Sequence, residues 1–533
     1  MQTRRRFLTA AGGFVAATVV TPVWGGDALA ASQRRRAFKG GKFAEGVMSG
    51  DPTPNAITLW TRVHDVEGAG SVKVEVARDR GFRKLVASED VPTTAAADHA
   101  VKVRVGGLKA REEYFYRFET ADAHSDVGRF RTAPPPDSNA PITFAFWSCQ
   151  DYTGGYYNAQ AALAKQDVDF MVNLGDYIYA DRQHTLPGQG GDGLAVRADP
   201  VEQARTLKQY RDKYKLYRTD KNLRKMQAAH AMVTTWDDHE VTDDYAGAQP
   251  EVIPQNAATP KQIANAYRAF FESMPVFSPN RRTQLFRMLR FGRNVDLLVL
   301  DERQYRDAQP CGDPLVGNLD PSSPQYCSNL NDPRTMLGAR EGGFLDARLA
   351  ASNARWKVIA NEVPITPIQL VQAFVGPDDW AGYTQARTAL LQTIQQRPEH
   401  DVVFVTGDIH TFVTSSVPVS LNDPTPVAPE FVGGSFTSFG FGEITIDVGG
   451  GITVNGSPDN PGIPPSLQDS LLSLNPWAVD TDTAHHGYAV ATFAPNQVSV
   501  SYERVATTRQ KGAGLIDPLQ YVLPRGEVRP QKL

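Results

Sequence analysis

At 533 residues and 41% hydrophobic content, the chain is too long for one ordinary domain and has ample material for a core. Its 55 basic and 59 acidic residues leave a formal net charge of −4, which argues against a broadly basic surface, so no specific nucleic-acid binding is expected. Two or three domains follow from the length.

Residues 1–30 read as a leader. Thr3-Arg4-Arg5-Arg6-Phe7-Leu8 is a twin-arginine pattern, residues 10–20 form a short, mildly apolar run, and Ala28-Leu29-Ala30 is a small-residue cleavage site. A transmembrane anchor is the competing reading, but the run is shorter than the roughly 20 apolar residues a span needs and contains Gly12 and Gly13. The expectation is export by the twin-arginine translocase, a mature chain from about Ala31, and a periplasmic or secreted location. That route carries folded proteins and so suits a chain that takes up its cofactor before export.

Residues 31–136 read as a β-sandwich, with short alternating runs at 57–63, 71–77, 82–87, 100–105, 113–119 and 128–131. The stretch from Gly107-Leu108 through Tyr114-Phe115-Tyr116 to Gly128-Arg129-Phe130-Arg131 resembles the closing strands of fibronectin type III-like modules, with a candidate tyrosine corner at Tyr114. Pro134-Pro135-Pro136 opens a stiff linker and marks the boundary to a second domain, 137–511.

Beyond the linker, strands and helices alternate. Helices are expected at 156–166, 201–217, 223–229, 261–273 and 384–396, buried strands at 295–300 and 356–359, and further strands at 430–435, 488–493 and 497–502. Residues 449–465 read as a Gly/Pro-rich surface loop and 512–533 as a C-terminal tail. A mixed arrangement with helices outside is expected, not a purely parallel sheet.

Four apolar runs end in metal-capable residues. Phe144 to Ser148 leads into Cys149, Asp169 to Leu174 into Gly175-Asp176, Ala231 to Trp236 into Asp237-Asp238-His239-Glu240, and Val402 to Thr406 into Gly407-Asp408-Ile409-His410. The tips are expected to converge on one edge of a sheet, where α/β proteins place their chemistry. Each tip alone reads equally well as an ordinary turn. Cys311 and Cys327 flank a Pro/Asn/Asp-rich loop and are the pair available for a disulfide after export, which leaves Cys149 as the odd thiol, either a metal ligand or a buried free cysteine.

Cys149-Gln150, Gly175-Asp176-Tyr177-Ile178-Tyr179, Trp236-Asp237-Asp238-His239-Glu240-Val241, Gly407-Asp408-Ile409-His410, Glu430-Phe431-Val432, Asn475-Pro476 and His486-Gly487-Tyr488 together resemble the ordered motif series of the alkaline phosphatase D (PhoD) family. The resemblance implies an N-terminal fibronectin III-like β-sandwich followed by a metallophosphoesterase α/β/β/α sandwich. It further implies Fe(III) held by Cys149, Asp176, Tyr179 and His410, and Ca(II) held by Asp176, Asp238 and Asp408. Thiolate and phenolate suit a trivalent ion and an all-oxygen set suits a hard divalent one.

The implied reaction is hydrolysis of phosphate monoesters and/or diesters by in-line attack of a hydroxide generated at the metals, with Asp408 and His239 catalytic and His239 and His486 binding substrate. His239 also reads as a structural histidine, and Asp237 reads equally as a functional residue and as a capping or solvated turn carboxylate. Asp243-Asp244 stands where many relatives carry asparagines, which leaves the calcium set open. Arginines such as Arg182 or Arg303 could grip phosphate, but among this many arginines a surface role is the expectation. A phospholipase D-type phosphodiesterase on the same scaffold is the alternative activity, and a non-enzymatic binding protein the alternative class. A monomer acting on a small phosphate ester, with phospholipid among the candidates, is expected.

Overall fold

The computed structural model describes residues 20–22 and 36–533, apart from 182, 189–191, 248–257, 279–282, 313–315, 324–325, 371–372, 398, 400, 421, 444, 448–452 and 456–464. Arg182 and most of the leader therefore lie outside the described residues. Among those described, one sheet has eleven strands and a second has seven.

The two sheets face each other, and the period-2 alternation of their strands shows how. Phe144, Phe146, Phe170, Val172, Leu297, Val403 and Val405 point into a shared inter-sheet core. Their neighbours Ala145, Trp147, Met171 and Met232 instead meet the helices Leu207–Tyr217, Lys221–Ala229 and Pro260–Ser273. On the far side Leu298, Ile359, Val402 and Phe404 meet Gly338–Ala351 and Thr384–Gln395. Stacked rings tie the two sheets together: Phe144 on Phe170 at 5.0 Å between centroids, and Phe170 on Phe291 of the facing sheet at 4.2 Å. The result is an α/β/β/α sandwich carrying an N-terminal β domain.

Local signals set the helix ends. Thr206 and Gln209 form a capping box at Leu207–Tyr217, and Thr259 with Pro260 at the first position starts the next helix but one. The expected helix over 201–217 is shorter, beginning at Leu207; of the expected 449–465 loop, Thr453–Asn455 is a strand paired with Thr445–Asp447, Pro465 opens the helix Pro465–Leu474, and the rest lies outside the described residues. Gly338–Ala351 escaped the sequence reading because Gly342 and Gly343 interrupt its pattern.

The β-sandwich joins the larger sheet directly. Val47–Thr53 pairs antiparallel with Ala56–Arg62 on one side and parallel with Ala231–Thr235 on the other. Gly50 permits that junction, since a Cβ there would lie 2.5 Å from the Pro275 carbonyl oxygen and 2.7 Å from that of Met232. Tyr114 accepts a hydrogen bond at 3.0 Å from the Lys109 backbone N–H, the tyrosine-corner geometry. Residues 512–533, read as a tail, supply Leu519–Pro524 and Gln531–Lys532, which extend the eleven-stranded sheet. Cys311 and Cys327 are joined as a disulfide with Cα atoms 4.8 Å apart.

His230, just past the Lys221–Ala229 helix, is buried and donates from Nε2 to the Leu163 carbonyl at 3.0 Å. Burial, with Arg129 next, lowers its pKa from 6.5 to about 4. The unfolded chain therefore takes up this proton first as pH falls. The contribution is complete above pH 6.5 and is lost between 6.5 and about 4, amounting to about 3 kcal/mol. We expect His230→Gln, which keeps a donor, to flatten the fall in thermal midpoint between pH 7 and pH 5; an unchanged slope would contradict the assignment.

Candidate metal centre

The four tips do converge, but from both sheets. Ile142–Trp147, Phe170–Leu174 and Ala231–Thr235 are adjacent parallel strands of the larger sheet, and Val402–Thr406 belongs to the smaller one. The site thus sits at one end of the sandwich, across the seam, and not on one edge of a sheet.

The backbone there is bent to aim side chains inward. Cys149, Asp176, Asp408 and His410 all have positive φ, at 56°, 53°, 69° and 54°. Such conformations cost non-glycine residues on the order of 1–3 kcal/mol each and cluster at functional sites. Gly175 makes the tightest turn, at φ 110°, where a Cβ would lie 2.3 Å from Cβ of Asp237. Glu240 ties two of these loops together, accepting from the backbone N–H groups of Asp176 (3.0 Å) and Tyr177 (2.6 Å) in one and of Asp237 (2.9 Å) in its own. Burial pushes its carboxyl up to about 8.

Ligand-capable atoms come together in overlapping groups, each within 4.8 Å: Cys149, Asp176 and His410; Asp176, Asp238 and His239; Asp237, Asp238 and Asp408; and Asp238, Asp243 and Asp244. Asp176 belongs to the first two and Asp238 to the last three. Tyr179 Oη lies 3.1 Å from His410 Nε2, which brings the phenol to the first group. The centre is strongly anionic. Burial, then the neighbouring carboxylates Asp176 and Asp408, push the Cys149 thiol well up, and burial followed by Asp237 does the same to Asp408. Burial opposes a charge on His239, yet Asp238, Asp176 and Asp181 hold its pKa well above the usual imidazole value.

Acidic groups packed this closely ionise together only beside cations, and the donor set fits two kinds. Thiolate, phenolate, imidazole and carboxylate make one nest, and carboxylates alone make the other. Asp237 Oδ2, buried with no hydrogen-bond partner among the described residues, is a further open acceptor. His410 is prepared for ligation: a carbonyl only accepts, so Nδ1 carries the proton it donates to Phe439 at 2.9 Å, and the Nε2 lone pair faces Tyr179. Burial lowers this ring to about 4, so it is neutral near pH 7.

The residue matches continue across the chain. The model of the PhoD-like phosphatase family matches residues 144–502, and that of its N-terminal domain matches residues 28–134. The chain belongs to the PhoD-like phosphatase family. It is similar to alkaline phosphatase D of Bacillus subtilis (strain 168), at 32% identity over 514 residues covering 93% of this chain and 83% of that protein. It superposes on a solved structure of PhoD with a TM-score of 0.79 at 30% identity, covering 93% of each chain. A purple acid phosphatase, PPD1 from yellow lupin seeds, shares the fold at TM-score 0.53 and 13% identity, with 89% of this chain and 73% of that one covered. As a PhoD-like phosphatase, the chain is a phosphoric ester hydrolase.

In this PhoD-like chain Arg303 and His486 differ from their sequence reading, and of the two readings of Asp237 the solvated one is excluded. Arg303, expected on the surface, is fully buried: Nε bonds Asp237, Nη1 bonds Asp378, and Nη2 stands 3.5 Å from Asp408 and 3.9 Å from Asp238. It lies past the C-terminal end of the strand Val295–Val299, so the strand-end rule that found the other tips also reaches it. Asp237 is buried and paired to Arg303, not a solvated turn carboxylate. His486, expected to bind substrate, has both ring nitrogens engaged away from the ligand groups, Nδ1 with Ser435 Oγ at 3.0 Å and Nε2 with Glu443 at 2.7 Å. His239 lies at the centre, its ring 4.1 Å from that of Tyr179 and its Nδ1 3.2 Å from Asp181.

Proposed function

We propose that this chain is an exported, metal-dependent phosphatase acting on phosphate monoesters and diesters, with Fe(III) held by Cys149, Asp176, Tyr179 and His410 and Ca(II) by Asp176, Asp238 and Asp408. The observation that carries the reading is Asp176, one carboxylate shared between a thiol/phenol/imidazole nest and an acidic nest. When bound, such a pair of cations acidifies a water and neutralises phosphate charge. Asp408, with its side chain 23% exposed, faces incoming ester, while His239 keeps a proton beside Asp176 and Asp238, in place for the departing oxygen. Arg303 holds Asp237 and stands by Asp408, fixing the direction of their free lone pairs.

The twin-arginine pattern and the Cys311–Cys327 disulfide support export. One feature favours the phospholipase D-type reading as a second substrate class. Val413, Phe441, Leu471 and Trp477 line an apolar pocket that also includes Thr411, next to His410. No helix among the described residues is long and apolar enough to cross a membrane. The test is hydrolysis of p-nitrophenyl phosphate, bis-p-nitrophenyl phosphate and phosphatidylcholine vesicles by iron- and calcium-loaded protein. Release from both nitrophenyl esters is expected. Release from neither would sink the reading, and Phe441→Ala lowering only the vesicle rate would favour the second class.

A further inference from the structure

His486 and Glu443 form a buried ion pair, their side chains only 6% and 4% exposed, in a place where charge is costly. Its bonding shows what it holds. Ser435 Oγ donates its one hydrogen to the Ser438 carbonyl at 2.6 Å, so toward His486 it accepts, from Nδ1–H; Nε2–H goes to the Glu443 carboxylate. The ring therefore carries both protons and has no lone pair for a metal and no N–H left for a substrate. Glu443 also accepts from the Gly440 backbone N–H at 3.2 Å, which closes residues 435–443 into a bracketed loop.

That loop is pressed onto the ligands. The backbone N–H groups of Thr437 and Ser438 donate to the Cys149 carbonyl at 3.2 and 3.3 Å, and a Cβ on Gly440 would lie 2.5 Å from the His410 carbonyl oxygen. Ser438 Oγ is 2.6 Å from Tyr179 Oη and 3.1 Å from the Cys149 carbonyl oxygen, so its one hydrogen goes to the shorter contact, and the Phe439 carbonyl takes the His410 Nδ1 proton. With His410 Nε2 a lone pair, the Tyr179 hydroxyl donates to it at 3.1 Å and its oxygen accepts from Ser438.

We propose that the 435–443 loop, bracketed by His486 and Glu443, is a positioning device for the metal ligands, in which Ser438 sets the orientation and donor strength of the Tyr179 oxygen and Phe439 fixes the tautomer of His410. His486 is thus a positioning residue and Ser438 the one that transmits its effect. When Tyr179 gives up its proton to bind a cation, the Ser438 hydroxyl remains aimed at the phenolate, so the hydrogen bond outlasts the change of state.

The proposal rests on Tyr179 being a ligand, and the test separates the two. Purified wild-type, Ser438→Ala, Ser438→Thr, His486→Gln and Tyr179→Phe proteins are mixed with EDTA, and release of whatever metal each carries is followed by elemental analysis. Ser438→Ala is expected to release metal roughly 10–100-fold faster than wild type, Ser438→Thr to restore slow release, and His486→Gln to fall between. Ser416→Ala, which removes a buried hydroxyl with no hydrogen-bond partner among the described residues, is the folding control and keeps the wild-type rate. If iron is present, Ser438→Ala also moves the phenolate absorption band to longer wavelength. Fast release from Tyr179→Phe with wild-type release from Ser438→Ala would overturn the positioning role and leave the ligand intact. Wild-type release from Tyr179→Phe would overturn the ligand assignment and the positioning role with it.

Discussion

Asp176→Asn should lower kcat/KM on p-nitrophenyl phosphate by about 10³-fold, a loss of about 4 kcal/mol in transition-state stabilisation. The reason is geometric. Asp176 is the member shared by the Cys149/His410 group and the Asp238/His239 group, so neutralising it weakens both nests at once. Asparagine keeps the volume, and among the described residues the only hydrogen bond given to the Asp176 side chain is the long one from the His239 N–H at 3.3 Å. The fold should therefore survive. Burial, and behind it the repulsion from Asp238, Asp237 and Glu240, push the Asp176 carboxyl well up despite His239, so the metal-free variant should unfold no more easily than metal-free wild type. Retention of more than a tenth of the activity, with normal metal content, would mean that Asp176 does not bridge.

Arg303→Met should act in the opposite way, on stability first. The guanidinium is fully buried between Asp237 and Asp378, and its removal leaves the buried Asp237 and the half-buried Asp378 facing each other across an apolar side chain. Breaking a buried pair by deleting one partner costs about 3–5 kcal/mol. Arg306, which also bonds Asp378, limits the damage on that side, so Asp237 bears most of it. The denaturant midpoint of Arg303→Met should fall accordingly, and Arg303→Met with Asp237→Asn should recover part of the loss because the stranded charge is gone. Equal midpoints for wild type and the single variant would show that the network contributes nothing.

The candidate ligands were legible because each stands at or just past the C-terminal end of an apolar run, a local signal that survives whatever the rest of the chain does. What local signals do not carry is which sheet a run joins. Val402–Thr406 belongs to the smaller sheet through its pairing with Trp356–Asn361, and no feature of the run itself states that. The Pro134-Pro135-Pro136 linker was visible, whereas the pairing of Ser49 with Ala231 across it depends on residues 182 positions apart in sequence. Arg303 looked like one arginine among many until the acidic tips closed around it. His486 is the instructive case. Its motif was found, but its bonding is tertiary, and both ring nitrogens are engaged by Ser435 and Glu443.

The most direct test of a two-nest metal centre is elemental analysis of the purified protein, read with its visible spectrum and with phosphatase activity before and after chelation. Iron and calcium together, an absorption band that disappears in Tyr179→Phe, and activity lost on chelation and restored by both metals are the expected results. Full activity in protein stripped of metal, or zinc or manganese in place of iron with no such band, would contradict the assignment of Cys149, Asp176, Tyr179 and His410 to a trivalent iron.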